Sequence, residues 1–283
     1  MKLLLKTTVA LAVAISALAI GCTEKSTIST TPGPTVITDQ NWAFETTPIW
    51  EDNFNSNGNP DPAKWVLETG GNGWGNNEMQ NYTASGNAVV TGGNLVITAK
   101  KESSNDRNYS SARLITKGKA EWIYGRFEVR AKLPKGRGTW PAIWMLHATP
   151  SYGVWPASGE IDIMEHVGYE PNKVHCTVHT SAFNHSIGTQ VGSNVIVPTA
   201  TEEFHIYRVD WTPYSIKGFV DDVQYFEFKN ENAGFAKWPF NIKFFMILNV
   251  AVGGNWGGAQ GVDDSAFPTS MEVDYVKVFK LIP

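Results

Sequence analysis

The chain has 283 residues, with 23 Lys and Arg against 27 Asp and Glu, a formal net charge of −4, and only 18% charged residues. A protein that grips nucleic acid by neutralising phosphates needs a clustered basic excess, which this balance excludes, and 42% hydrophobic residues exclude a disordered chain. Trp is over-represented at 11, and composition alone leaves open whether these rings fill a core or line a surface for the flat faces of a ligand.

Lys2 and Lys6 are followed by an uncharged, mostly apolar stretch from Thr7 to Ile20, closed by Gly21-Cys22. Those 14 residues are too few to span about 30 Å of hydrocarbon, so residues 1–22 read as a secretory signal. Leu18-Ala19-Ile20-Gly21-Cys22 resembles a bacterial lipobox, which implies acylation of Cys22 at the mature N-terminus. Ordinary secretion with a nearby cut, or a retained anchor helix, are the alternatives. The expected address is an outer-membrane or cell-surface lipoprotein, or a periplasmic or secreted protein, that meets membrane only through its lipid. With Cys22 acylated, Cys176 has no disulfide partner and is expected as a small buried hydrophobe in a strand. Residues 23–41 are rich in Ser, Thr and Pro without an apolar period and read as a tether. Residues 42–283 contain no such break and no internal repeat, so they are expected to form one domain.

The body alternates with period 2. Leu95, Ile97 and Ala99 share one face of a strand between Gly93 and Lys100, and Phe127, Val129, Ala131 and Leu133 do so between Arg126 and Leu133. Phe244 to Val252 is apolar on both faces except for Asn249, the pattern of a central strand covered on both sides. Turns recur at Gly70-Gly71, Gly92-Gly93, Pro134-Lys135-Gly136, Asp221-Asp222 and Gly253-Gly254. Many strands with little helical pattern predict an all-β sandwich of two antiparallel sheets, a jelly roll in preference to a closed barrel.

Gly159-Glu160-Ile161-Asp162-Ile163-Met164-Glu165-His166 carries the chemistry. Glu160 and Asp162 share a strand face, but Glu165 is five positions from Glu160 and points among Ile161 and Ile163, where an ionisable group is costly. One β-bulge at Ile163-Met164 adds a residue, flips the parity and returns all three acids to one face. Two Glu side chains leaning together on a concave sheet then reach the roughly 5–5.5 Å separation used in glycoside hydrolysis with retention, with Asp162 between them holding a proton or hydrogen bond. His175 and His179 share a face of the next strand, but neither a third ligand nor an HExxH run accompanies them, which argues against catalytic zinc. No cofactor is expected for catalysis.

This segment and the preceding Gly138-Thr139-Trp140-Pro141-Ala142-Ile143-Trp144-Met145-Leu146 resemble the signature of glycoside hydrolase family 16, and the ExDxxE spacing resembles its laminarinase (endo-β-1,3-glucanase) branch. Residues 73–80 (GWGNNEMQ), 111–115 (SARLI), 124–128 (YGRFE), 174–180 (VHCTVHT) and 250–256 (VAVGGNW) resemble family segments in the same order. The resemblance implies a bent β-jelly roll of the concanavalin A-like kind, two curved antiparallel sheets with an open cleft, hydrolysing internal β-glucan linkages with retention. It implies Glu160 as nucleophile, Glu165 as general acid/base and Asp162 as the residue assisting between them. Mixed-linkage lichenases usually have the shorter ExDxE, whereas agarases and carrageenases share ExDxxE. Another specificity of the family, on mixed-linkage glucan, agarose or carrageenan, is therefore an alternative. So is a non-catalytic carbohydrate-binding sandwich.

The Trp residues divide accordingly. Trp140, Trp144, Trp155 and Trp256 are expected to line the cleft, and Trp50, Trp65, Trp122, Trp211 and Trp238 to pack in the core. Asn76 and Arg113 match positions that contact sugar hydroxyls in relatives, with a structural ion pair the alternative for Arg113. Glu78 suits a turn equally well. His179 is placed near the acid/base, either tuning it or forming cleft wall, and His166 on the opposite face. The resemblance also implies one structural Ca²⁺ away from the cleft, held by Asp274 with Glu51 and the Gly93 carbonyl as further candidates, since oxygen ligands suit a hard cation. The expected partner is a β-glucan polysaccharide or oligosaccharide bound by a monomer.

Overall fold

Two β-sheets face each other, each strand turning alternate residues into the space between them. The computed structural model describes Gln40 and residues 42–282; the signal segment, Cys22 and nearly all of the tether lie outside the described residues. One sheet has seven strands in the order Val191–Ile196, Lys173–His179, Glu160–His166, Thr139–His147, Phe244–Val252, Arg113–Ile115 and Val66–Glu68. The other has ten. Its main path runs Val223–Lys229, Ser215–Val220, His205–Trp211, Gly125–Lys132, Thr269–Phe279, Asn94–Ser104, Arg107–Ser111 and Gln80–Tyr82, with Trp50–Asp52 and Ala88–Thr91 attached to it. Among the described residues helix is limited to two 3₁₀ turns, His185–Ile187 and Asp264–Ala266, and no helix is long and apolar enough to cross a membrane. The two-sheet jelly roll matches the expectation, with one departure. Gln80–Tyr82 runs parallel to Arg107–Ser111, so the larger sheet is not antiparallel throughout.

The period-2 pattern fixes which residues enter the core. Leu95, Ile97 and Ala99, together with Phe127, Val129, Ala131 and Leu133, are buried from the larger sheet and meet Ile161, Val174, Cys176 and Val178 from the smaller one. Each large aliphatic or aromatic side chain sealed there contributes about 1.5–3 kcal/mol of transfer free energy. Phe244–Val252 is buried along its whole length, with its two faces doing different things. Phe244, Met246, Leu248, Val250 and Val252 join the core, while Phe245 and Ile247 form a smaller cluster with Ile115 on the outer face, followed by Asn249 and Ala251. Trp65, Trp122, Trp211 and Trp238 are core residues, and Trp50 packs edge-on against Trp65 and Trp122 at 5.7 and 5.5 Å. The buried Trp211 indole N–H donates to the carbonyl of Phe240 at 3.1 Å, so its one polar atom is satisfied. Cys176 is a buried free thiol, as its place in an apolar strand predicts.

Candidate active site

The strand Glu160–His166 contains the bulge that parity requires. Against Thr139–His147, Glu165 pairs with Ala142 and Met164 with Ile143, but Asp162 pairs with Trp144, so Ile163 has no partner of its own. On the other side Asp162 pairs with Thr177 and Glu165 with His175, two positions on one strand against three on the other. Ile163 and Met164, though consecutive, are both 0% exposed and both belong to the core. Their shared direction turns Glu165 outward, and Glu160, Asp162 and Glu165 line one pocket.

Donors of fixed polarity orient the three acids. Trp155 Nε1 donates to Glu160 Oε2 at 2.8 Å, and Trp140 Nε1 donates to Glu165 Oε1 at 3.0 Å. His179 Nε2 lies 3.3 Å from Asp162 Oδ2 and 3.8 Å from Glu160 Oε1. Burial pushes the pKa of Glu165 up to about 8, with Asp162 adding to the rise and the Trp140 hydrogen bond opposing it. Burial likewise raises Asp162 to about 8, against a hydrogen bond with Glu160. Glu160 is raised by burial and then by Asp162. Three carboxylates this close do not ionise independently, because each new charge forms beside the last. Near neutral pH the cluster therefore keeps protons that isolated carboxyls would have lost.

The carboxylates stand where two lobes of the cleft meet. One lobe is lined by Trp74, Glu78, Arg113, Trp144 and Asn249, the other by His175, Thr177, His179, His185, Asn255 and Trp256, and both include Asn76, Trp140, Glu160 and Glu165. Trp140 meets Trp256 edge to face at 5.6 Å. Trp155 lies against His185 at 4.9 Å and His179 at 6.1 Å. Arg113 answers both of its alternatives at once. It lines the pocket, ion-pairs with Glu68 at 2.6 Å, and inserts its guanidinium between Trp74 and Trp144 at 4.9 and 4.7 Å from their ring centres. One face of Trp144 is thus already covered, and its indole N–H is bonded to Asn249 at 2.7 Å. His166 is fully buried off the cleft with Nδ1 3.0 Å from the carbonyl of Lys173. The sequence puts Trp74 in a glycine-rich loop but singles out neither Asn249 nor His185 as cleft-lining, nor Gln80 and Tyr82 as the buried partners of Glu78. Asn249 was the one visible signal, as the lone polar residue in an apolar strand.

The residues considered for calcium fall on the ten-stranded sheet. Leu95 pairs with Val273, bringing the Gly92-Gly93 turn beside Asp274, and a register shift between Val273 and Tyr275 makes Asp274 the bulged residue of its strand. Asp274 Oδ2 accepts from Arg130 Nη1 at 2.5 Å, leaving its second oxygen for a cation. Glu51 is not brought to them. It pairs with Lys277, three residues beyond Asp274 and roughly 10 Å away at about 3.3 Å per residue, and its carbonyl accepts from Lys64 Nζ at 2.7 Å. The register thus brings Asp274 and the Gly92-Gly93 turn together and sets Glu51 apart from them. The one cluster of three His, Cys, Asp or Glu ligand atoms among the described residues is Glu160, Asp162 and His179, within the cleft itself.

A model of the glycosyl hydrolases family 16 matches residues 76–277. The chain belongs to this family. Within family 16 it is 54% identical over 243 residues to a β-glucanase of Rhodothermus marinus, covering 83% of this chain and 85% of that one. Its fold matches the X-ray structure of the laminarinase from Rhodothermus marinus with a TM-score of 0.84 at 53% identity, over 86% of this chain and 100% of that one. It also matches SCLam, a non-specific endo-β-1,3(4)-glucanase of family 16, with a TM-score of 0.79 at 46% identity, over 84% of this chain and 93% of that one. The chain is a β-sandwich glycoside hydrolase, and the acids of its bulged strand lie within the matched region.

Proposed function

We propose that the protein is an endo-acting β-1,3-glucanase that cleaves internal linkages of laminarin-type glucans with retention of configuration. The observation that carries this is the bulge, which turns Glu160, Asp162 and Glu165 into one open cleft where two lobes meet. A chain that binds in both lobes presents an internal bond to the carboxylates. The likeness to the Rhodothermus β-glucanase and laminarinase supports the β-1,3-glucan class. Sulfated galactans are disfavoured by charge. Among the described residues the one Lys or Arg lining the first lobe, Arg113, is already paired with Glu68, which leaves that lobe no free cation to receive a sulfate.

Glu160 is the nucleophile and Glu165 the acid/base. Glu160 accepts from the Trp155 indole and has His179 Nε2 3.8 Å away, whereas Glu165 accepts from Trp140. Retention requires Glu160 ionised and Glu165 protonated, and His179 Nε2, 3.8 Å from Glu160 and 3.3 Å from Asp162, stands on the side where the charge must be held. The Glu160 carboxylate forms a bond to the anomeric carbon as the glycosidic C–O bond breaks, and Glu165 protonates the departing oxygen. Glu165, now a base, takes a proton from water, whose oxygen displaces Glu160 and regenerates the starting state. Early products of laminarin, followed by NMR and chromatography, are expected to be β-anomers of many lengths. Initial α-anomers, or glucose alone, would overturn this reading, as would faster turnover of agarose or mixed-linkage glucan.

Because the acid must be protonated to act, kcat/KM is expected to fall as pH rises through about 8, where Glu165 ionises. Trp140→Phe removes a donor that favours the ionised form, so this limb should move to higher pH. A limb that stays in place or moves down would exclude Glu165 as its source.

The finer attributes belong to the same proposal. We propose that Asp274 and the Gly93 carbonyl hold a structural calcium that takes no part in the chemistry, so calcium should raise Tm and EDTA lower it; a Tm blind to both rejects the site. Export as a lipoprotein through Cys22 is proposed from residues 1–22, and labelling with radioactive palmitate that persists in Cys22→Ala would reject it. A single monomeric peak is expected in size-exclusion chromatography, and a dimer would correct that.

A further inference from the structure

Glu78 is a fourth carboxylate in the cleft, 6% exposed, with no part in the chemistry above. Two chains of hydrogen bonds that start at donor-only groups decide what it can do. Trp144 Nε1 donates to Asn249 Oδ1 at 2.7 Å, so Asn249 turns its Nδ2 to the Tyr82 hydroxyl at 3.1 Å. That hydroxyl, already accepting, gives its proton to Glu78 Oε2 at 3.2 Å. Independently, the backbone N–H of Val252 donates to Gln80 Oε1 at 2.8 Å, which leaves Gln80 Nε2 to donate to the same Glu78 oxygen at 2.6 Å. An indole and a peptide N–H cannot reverse direction. Both chains therefore arrive at Glu78 as donors and hold it as an acceptor.

Its surroundings give that acceptor something to read. Glu78 lies on the lobe with Trp74, Trp144 and Arg113, and a Cβ added at Gly254 would meet Glu78 Cγ and the Trp140 ring at 3.4 Å each. Glu78 thus borders the same lobe as the indole that bonds Glu165. Gln80 and Tyr82 both bond Oε2, so two of the roughly four lone-pair sites are taken and Oε1 is left to accept from elsewhere. A carboxylate serving only the core would have no reason to border the pocket.

We propose that Glu78 is a specificity-determining residue whose carboxylate accepts a hydrogen bond from a free hydroxyl of the glucosyl unit bound beside Trp74, Trp140 and Trp144. A unit whose hydroxyl at that place carries a branch, a sulfate or an ester leaves the acceptor unpaired and is rejected. This inference rests on the β-glucanase reading and names a feature of its substrate.

Glu78→Gln tests it cleanly. The Gln oxygen still receives Gln80 and Tyr82, while its NH₂ replaces the second oxygen, so the atom offered to the sugar changes from acceptor to donor and the internal chains survive. Tm is expected to stay within about 2 °C of the parent. For laminaritetraose kcat/KM should fall at least tenfold, mainly through KM, and Kd measured by calorimetry in the Glu160→Ala background should weaken to match. In a monodeoxy series of the same oligosaccharide, the parent should reject one member strongly and Glu78→Gln should not. Parent-like KM and Kd in Glu78→Gln, with or without a lower Tm, would overturn the proposal and leave Glu78 a structural carboxylate. Absence of laminarin turnover by the parent protein would instead overturn the β-glucanase reading beneath it.

Discussion

Glu160→Ala is expected to lower kcat on laminarin on the order of 10⁴-fold or more while oligosaccharide binding stays within a few-fold of the parent. The substitution removes the atom that bonds to the anomeric carbon and leaves in place Glu165, its Trp140 donor and the walls of both lobes. Azide separates this loss from damage to the acid/base. In Glu160→Ala it enters from the vacated face, opposite the departing sugar, and an activated aryl β-glucoside yields the α-glycosyl azide. In Glu165→Ala it attacks the glycosyl-enzyme from the other face and yields the β-azide. Full residual turnover in Glu160→Ala, or the same azide anomer from both variants, would reverse the assignment. Stability should not suffer. The folded protein raises the pKa of Glu160, so this residue's contribution is complete below the ordinary carboxylate range and is lost as pH rises through the folded value. Removing it makes the pH dependence of Tm shallower on the alkaline side.

The second large effect comes from changing the residue count of the bulged strand. An Ala inserted between Met164 and Glu165 takes the outward position and sends Glu165 inward with Ile163 and Met164, among side chains that exclude water. Activity should fall to the level of Glu165→Ala, and stability by several kcal/mol, the cost of an ionisable group without a partner in an apolar site. Deleting Met164 has the opposite logic. Asp162 still faces Trp144, Glu165 still faces Ala142, and Ile163 takes the place opposite Ile143, so the strand becomes regular with all three acids outward. That variant loses one core side chain, about 2–5 kcal/mol by analogy with large-to-small core changes, and should remain measurably active. An active insertion together with a dead, folded deletion would show that parity does not govern the site.

Much of this was legible because one-sided alternation leaves few choices. Three acids and two isoleucines in a strand admit one inexpensive arrangement, and the bulge at Ile163-Met164 is that arrangement. The division of the Trp residues was legible for the same reason. Trp211 sits in an alternating strand and is buried, whereas Trp256 sits among glycines and reaches the cleft. Glu78, Gln80 and Tyr82 were not, because their value lies in bonds to Asn249 and Val252, some 170 residues away, and a short strand in that stretch looks like a turn. Glu51 is set apart from Asp274 on a matter of register. Its strand pairs at Val276–Val278, past the bulge at Asp274, and a family pattern does not carry that offset.

Phe244–Val252 leaves none of its residues exposed, since Leu248 and Val250 are core while Asn249 and Ala251 are the floor of the cleft. Floor and core are two sides of one backbone, so the floor has no way to soften while the sandwich holds. Heat inactivation and global melting should therefore be a single event. As the protein warms, its catalytic rate should climb up to the melting transition and end there, without the early decline seen when an active site is borne on loops that loosen first.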